Sequence, residues 1–126
     1  MSGTGQPFRN VLMESIDEAF SVLGIEPSAA VYQYLGTICS LPKEEIPDRI
    51  EDFDRGIKKA LGAASKVIER LIVRKLFQRL GLSLRESQDQ DFLDYVRDAR
   101  RRHEIFSHRQ TDHLESERSQ KGKISS

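Results

Sequence analysis

The sequence predicts an all-α fold: a small four-helix bundle with an appended C-terminal helix and a disordered tail. Apolar residues recur at helical spacing in four successive segments, and no segment alternates apolar with polar residues as a half-buried strand does. Glycine and proline stand at the joints between those segments. The hydrophobic residues are also unevenly spread: 37 fall in 1–82 and only 10 in the 44 residues of 83–126. The first part can bury a core and the second mostly cannot. This divides the chain into a bundle domain over 8–82, an amphipathic helix within 83–106 and a disordered tail over 107–126.

The first helix runs from Phe8 to Leu23, with Leu12, Ile16, Ala19, Phe20 and Leu23 on one stripe and Gly24 at the C′ position beyond it. Pro27 suits the first position of a second helix, since its missing N–H would be unpaired there anyway. Ala30, Val31, Tyr34, Leu35 and Ile38 form its stripe, and Ser40-Leu-Pro42 ends it. Gly36 inside this stripe costs ~1 kcal/mol against Ala and points to close helix packing. Lys43 to Ile46 makes one turn at most, because Pro47 drives its predecessor away from helical angles. From Pro47 a third stripe runs through Ile50, Phe53, Ile57, Ala60 and Leu61. Acids fill its first half and bases its second, the order the helix dipole favours.

The fourth stripe is the strongest: Ala64, Val67, Ile68, Leu71, Ile72, Leu76, Phe77 and Leu80, closed by Gly81 and Leu82 in a Schellman ending. It is in phase with the third, so periodicity alone permits one helix over 47–80. Such a rod would be ~50 Å long, against roughly 30 Å for a compact domain of this size. A break at Gly62-Ala63-Ala64 is therefore favoured. Ser83-Leu-Arg-Glu86 matches a capping box. The fifth helix after it carries Phe92, Tyr95, Val96 and Ala99 on a thin apolar side flanked by charge, so only partial burial is expected.

Several of these segments resemble a known family. Glu14-Ser-Ile-Asp-Glu-Ala-Phe-Ser-Val-Leu-Gly24, Lys43-Glu-Glu-Ile-Pro47, Ile50, Phe53, and the Gly62-Ala63 step leading into Leu71-Ile72 and Lys75-Leu76 are similar to the Nitrosopumilus output domain. This is a small helical module of archaeal proteins that occurs alone or appended to sensory and regulatory domains. The resemblance covers about residues 11–82. It implies an output or interaction role in archaeal signalling and brings no functional residues with it. Gly36 departs from the larger or acidic residue expected there, and the extension after 82 lies outside the match.

Composition excludes several classes. Lys plus Arg equals Asp plus Glu at 20 each, which argues against a bulk polyanion binder. The start, MSGTGQPFRN, lacks a basic region followed by an apolar run, so no signal peptide is expected. The longest uncharged stretch, 27–42, is too short and too polar to span a bilayer. The lone Cys39 cannot form an internal disulfide and reads as a buried reduced thiol, with nothing nearby to activate it. A cytoplasmic protein is expected.

Charge is nevertheless segregated along the chain. Residues 11–54 carry a net −8 and residues 55–79 a net +7. Lys66, Arg70 and Arg74 fall at i, i+4 and i+8, three cations in a row with ~6 Å between neighbours. With Lys75 and Arg79 they form the candidate nucleic-acid or partner surface. The plainer reading, which is preferred, is that the acidic helices pack beside the basic one and neutralise it. Arg100-Arg-Arg-His103 is a second basic cluster, best read as the last turn of a helix that starts with Asp89, Asp91 and Asp94. His103, His108 and His113 do not share a helical face. Glu104, His108 and Asp112 do, but they are too few and too loosely spaced for a zinc site.

Gly62-Ala-Ala-Ser-Lys66 lacks the Gly-Lys pair of a phosphate loop, and no nucleophile–base set has positional support. The expectation is a non-enzymatic interaction module that needs no metal or cofactor. Its first-choice partner is a protein, above all a second copy in a homodimer, because the apolar face of 64–80 is wide enough to want one. Nucleic acid bound through the helix around Lys66 to Arg79 ranks second. Neither a membrane nor a small-molecule substrate is indicated.

Overall fold

The structure is a computed structural model and describes residues 6–105. The expected tail over 107–126 lies outside the described residues, as do His108, Asp112 and His113. The fold is all-α, a small helical bundle with no strand among the described residues.

Helix α1 spans Phe8–Phe20 and buries Phe8, Val11, Leu12, Ile16, Ala19 and Phe20. Its most extensive partner is α4, Ala64–Leu80. Buried Ser15 sits on the same face and donates from Oγ to the Val11 carbonyl at 2.8 Å, so it carries no unmet polar group into the core. The helix stops three residues before the expected end, and a 3₁₀ turn over Ser21–Leu23 carries the chain on. Gly24 (φ 100°, ψ 163°) closes that turn, its N–H reaching Ser21 O at 3.2 Å, and also caps the start of α2, in a conformation open only to glycine.

Helix α2 spans Ile25–Thr37, which places Pro27 third rather than first. The missing N–H still falls in the first turn, where no carbonyl waits for it. Only Val31 and Leu35 of the expected stripe are buried, and Ile38 is 67% exposed. Gly36 has open space where a side chain would be, so it is not a packing glycine among the described residues. That role belongs to Gly56 of α3 (Ile50–Leu61), where a Cβ would lie 2.5 Å from Leu35 Cδ2 and 3.2 Å from Cys39 Sγ.

Between these helices Lys43–Asp48 form a six-residue 3₁₀ helix with Pro47 inside it, longer than the single turn the sequence predicts. Pro47 leaves the Glu44 carbonyl without its i+3 donor. Arg9 replaces that donor: its Nη2 reaches Glu44 O at 3.1 Å and Asp48 Oδ2 at 2.7 Å.

The break at Gly62 is present. Helix α3 ends at Leu61, Gly62 adopts φ 59° and ψ −131°, and α4 starts at Ala64. Helix α4 buries Ile68, Ile72, Val73, Leu76 and Phe77, while Val67, placed on the stripe by spacing, is 67% exposed. The Schellman ending is complete: the Leu82 N–H reaches Phe77 O at 2.9 Å and the Gly81 N–H reaches Gln78 O at 3.1 Å.

The capping box is not at Ser83–Glu86, since Glu86 is drawn to Arg74 at 3.2 Å. The helix starts later, over residues 92–105, here α5. Asp91 caps it: Oδ1 accepts from the Asp94 N–H at 2.9 Å and Asp94 Oδ2 accepts from the Asp91 N–H at 3.2 Å. Phe92, Val96 and Ala99 are buried in the same core as the other helices, more deeply than the flanking charges suggested. Those charges run to the edges. Arg97 meets Glu51 at 3.0 Å, Arg102 meets Asp98 at 3.0 Å, and Arg100 lies over the Phe8 ring while donating to Pro47 O at 3.3 Å. Phe92 packs 6.2 Å from Phe53 and Tyr95 packs 6.4 Å from Phe77. The wide apolar face of α4 is therefore covered by α1 and α5 of the same chain. That removes the ground on which the sequence argued for a second copy at this face.

Candidate functional site

Helix α4 turns about 100° per residue, and this divides the five candidate cations between two faces. Lys75 and Arg79 face α1. Lys75 Nζ lies 3.3 Å from Glu18, and Arg79 reaches Glu14 at 3.0 Å and Glu18 at 2.8 Å. The Arg79 hydrogen bond, then that of Lys75, holds the Glu18 carboxyl below its usual range. These two bases join the acidic first helix to α4. Lys66, Arg70 and Arg74 remain in a row on the exposed side. Arg74 and Arg70 share one carboxylate, Glu86, at 3.2 and 4.0 Å. Lys66 has no acidic partner among the described residues.

This row borders a cleft of about 620 Å³ between α4, the loop over 84–91 and the start of α5. Val73, Leu84, Phe92 and Tyr95 form apolar wall, and Lys58, Lys66, Arg70, Glu86 and Asp91 supply charge. Tyr95 secures the loop, its hydroxyl accepting from the Ser87 N–H at 2.6 Å and donating to Ser87 O at 3.1 Å. Glu69 also lines the cleft, yet it is only 7% exposed, and beside it lies Asp54 of α3, also 7% exposed.

Asp54 Oδ2 accepts from Lys58 Nζ at 3.0 Å, while Asp54 Oδ1 and Glu69 Oε2, both shut off from solvent, have no hydrogen-bond partner among the described residues. Two adjacent buried carboxyls cannot both ionise cheaply, so the pair holds a proton. Burial first, then the hydrogen bond with Asp54, pushes the Glu69 carboxyl up to about 8. Both causes hold Glu69 toward its neutral, protonated form. Spacing held a signal for this residue. Glu69 is the one acid in 55–79 and falls in register with Ile72, Val73 and Leu76 at i+3, i+4 and i+7.

The second basic cluster is already engaged. Arg101 and Arg102 both pair with Asp98 of their own helix, and His103 lies 6.0 Å from the Phe8 ring. No group of three or more metal-ligating side chains occurs among the described residues. Cys39 is a half-buried free thiol.

Helix α2 presents a surface of another kind. Ala29, Ala30, Gln33 and Thr37 point outward with Glu26 as the one charge among them, Gly36 lies half-buried between them, and Ile25 at the near end is 89% exposed. Val22, at the turn that leads into the helix, is also exposed. No helix of the described residues is long and apolar enough to cross a membrane. The chain matches no protein-family model, and no curated protein or solved structure matches it.

Proposed function

We propose that the chain is a non-enzymatic protein-interaction module that self-associates as a homodimer through the outer face of α2. The observation that carries this reading is a helix face with a single charge, Glu26, and a large exposed isoleucine at its end, on a protein in which 32% of residues are charged. Large apolar side chains left in water with little charge around them favour association. Gly36 supports the same reading. A glycine inside a helix costs ~1 kcal/mol, and nothing among the described residues uses the space it leaves. A second helix backbone crossing there would use it, and a two-fold axis lets one face serve both partners. The similarity of residues 11–82 to the Nitrosopumilus output domain adds a setting, an output step in cytoplasmic archaeal signalling, and rests on the quoted segments alone. Light scattering behind size exclusion tests the proposal: a dimer mass that Ile25→Asp reduces to monomer supports it, and a wild-type monomer counts against it.

A second reading has its own observation. Lys66 is unpaired among the described residues, and Arg70 and Arg74 divide one carboxylate between them. This row could bind nucleic-acid phosphates weakly and without sequence preference, and affinity would fall steeply with salt. Changing Lys66, Arg70 and Arg74 together to Gln would abolish such binding. Absence of binding at low salt removes the reading.

A further inference from the structure

We propose that the Asp54–Glu69 pair is a proton-operated latch for α5: while the pair holds its proton, the loop over 84–91 and α5 stay closed on α4, and loss of that proton lets them lift away. Asp54 stands on α3 and Glu69 on α4, each 7% exposed. Asp54 Oδ1 and Glu69 Oε2 are closed to solvent and have no hydrogen-bond partner among the described residues. Ionised carboxylates need water or an N–H donor, and to those two oxygens the closed fold supplies neither. Lys58 is at hand, but its ammonium lies on the other oxygen of Asp54, at 3.0 Å. The ionised pair therefore has to be wetted, and an element covering it has to move.

Helix α5 is the element that moves at least cost. Glu69 lines the cleft whose outer wall is the loop and the start of α5, so parting that wall brings water to its shielded side. Among the described residues α5 hangs on one connection, while α3 is fixed by the chain at both ends. Its polar ties to the bundle are Arg97 with Glu51, an ion pair exposed on both sides, and Arg100 on Pro47 O at 3.3 Å. Charge pushes the same way. Asp91, the cap of α5, helps to hold Glu69 neutral, so an ionised Glu69 repels Asp91 in turn. The other charges around the cleft are Lys66 and Arg70 on α4 itself and Glu86 in the loop, all exposed. From α1, Glu14 and Glu18 meet Arg79 and Lys75, roughly two to three turns further along α4. Lifting α5 takes Tyr95 from Phe77 and Phe92 from Phe53, which uncovers part of the apolar face of α4.

In the closed form burial and Asp54 raise the Glu69 carboxyl to about 8, from an ordinary 4.5. Closure is favoured in full below 4.5, and that preference is lost as pH rises through about 8. Between these limits the opening constant of α5 should rise roughly tenfold per pH unit. Amide hydrogen exchange of the full chain at about pH 5.5 and about pH 7.5, corrected for the intrinsic exchange rate, reads this opening. Protection of α5 should fall by about 50- to 100-fold between the two conditions, and at both it should stay below that of the slowest amides of α1. Glu69→Gln should flatten the α5 response. Asp54→Asn, which removes the second cause and leaves Glu69 in place, should reduce it. Protection of α5 that does not change with pH overturns the proposal, since α5 then opens without wetting the pair. Protection of α5 equal to that of α1 at both pH values also overturns it, because α5 then leaves only when the whole chain unfolds. A response that survives Glu69→Gln belongs to another group and overturns it as well.

Discussion

Replacing Glu69 with glutamine should change how stability depends on pH. In the fold the Glu69 carboxyl is pushed up to about 8, against an ordinary 4.5, mainly by burial and then by Asp54, with Asp91 adding to it and Lys58 opposing. The folded value lies above the unfolded one, so this group's stabilising contribution is fully present below 4.5 and is lost as pH rises through about 8. Across that window the unfolded chain releases the proton and the folded chain keeps it. At 1.36 kcal/mol per unit, the wild type should lose about 3–4 kcal/mol between pH 5 and pH 8 through this group. That is a large part of the total stability of a domain this size. The side-chain amide that Glu69→Gln introduces would keep an N–H donor beside Asp54, and it does not titrate. His103 and the remaining groups are common to both proteins and drop out of the difference. Urea denaturation at several pH values, with wild type and Glu69→Gln side by side, reads the effect directly. The variant should gain on the wild type steadily with pH and be the more stable protein at the alkaline end. Parallel curves would refute the assignment of a shared, buried proton.

Gly56→Ala should destabilise although alanine is the better helix former. The new methyl meets Leu35 Cδ2 at 2.5 Å inside a fully buried contact, and overpacking of about 1–3 kcal/mol outweighs a helix gain of ~1 kcal/mol; a higher melting temperature would contradict this. Arg79→Gln should cost about 0.5–1 kcal/mol, shrinking at high salt, because its two partners on α1 are half-exposed. Chemical denaturation at low and high salt measures it, and a salt-independent loss would point to packing instead. Truncation after Ser83 is expected, from sequence alone, to leave a cooperative fold only slightly weakened. Burial of Phe92 and Val96 raises the expected loss to about 3–6 kcal/mol at the usual value per side chain, and thermal melts of both lengths would show whether 8–82 holds together.

Much of the fold is legible because it is local. The stripes of α1, α3 and α4, the stop at Gly62 and the Schellman ending at Gly81 each depend on residues a few positions apart. Features that depend on a neighbour are not legible in this way. Gly36 and Gly56 look alike in sequence, and only the crossing of α2 with α3 decides which one needs the space. Ser83 and Glu86 satisfy a capping pattern, yet Arg74 on another element takes the carboxylate and Asp91 becomes the cap. The five basic residues of α4 belong to two faces, which the helical wheel already separates. Which face meets the acids of α1 follows only from packing. Glu69 carried a visible signal, an acid in phase with an apolar stripe, but its companion Asp54 comes from a different helix.

The central claim is that the outer face of α2 joins two copies, and sedimentation equilibrium at tens of micromolar tests it most directly. Three proteins are compared: the wild type, an α2 variant carrying Ile25→Asp with Ala29→Asp, and an α4 variant with Lys66, Arg70 and Arg74 all changed to Gln. The expected result is a mass of twice 14.4 kDa for the wild type and the α4 variant, and 14.4 kDa for the α2 variant. A wild type of 14.4 kDa, or a dimer that the α2 changes leave intact, would contradict it.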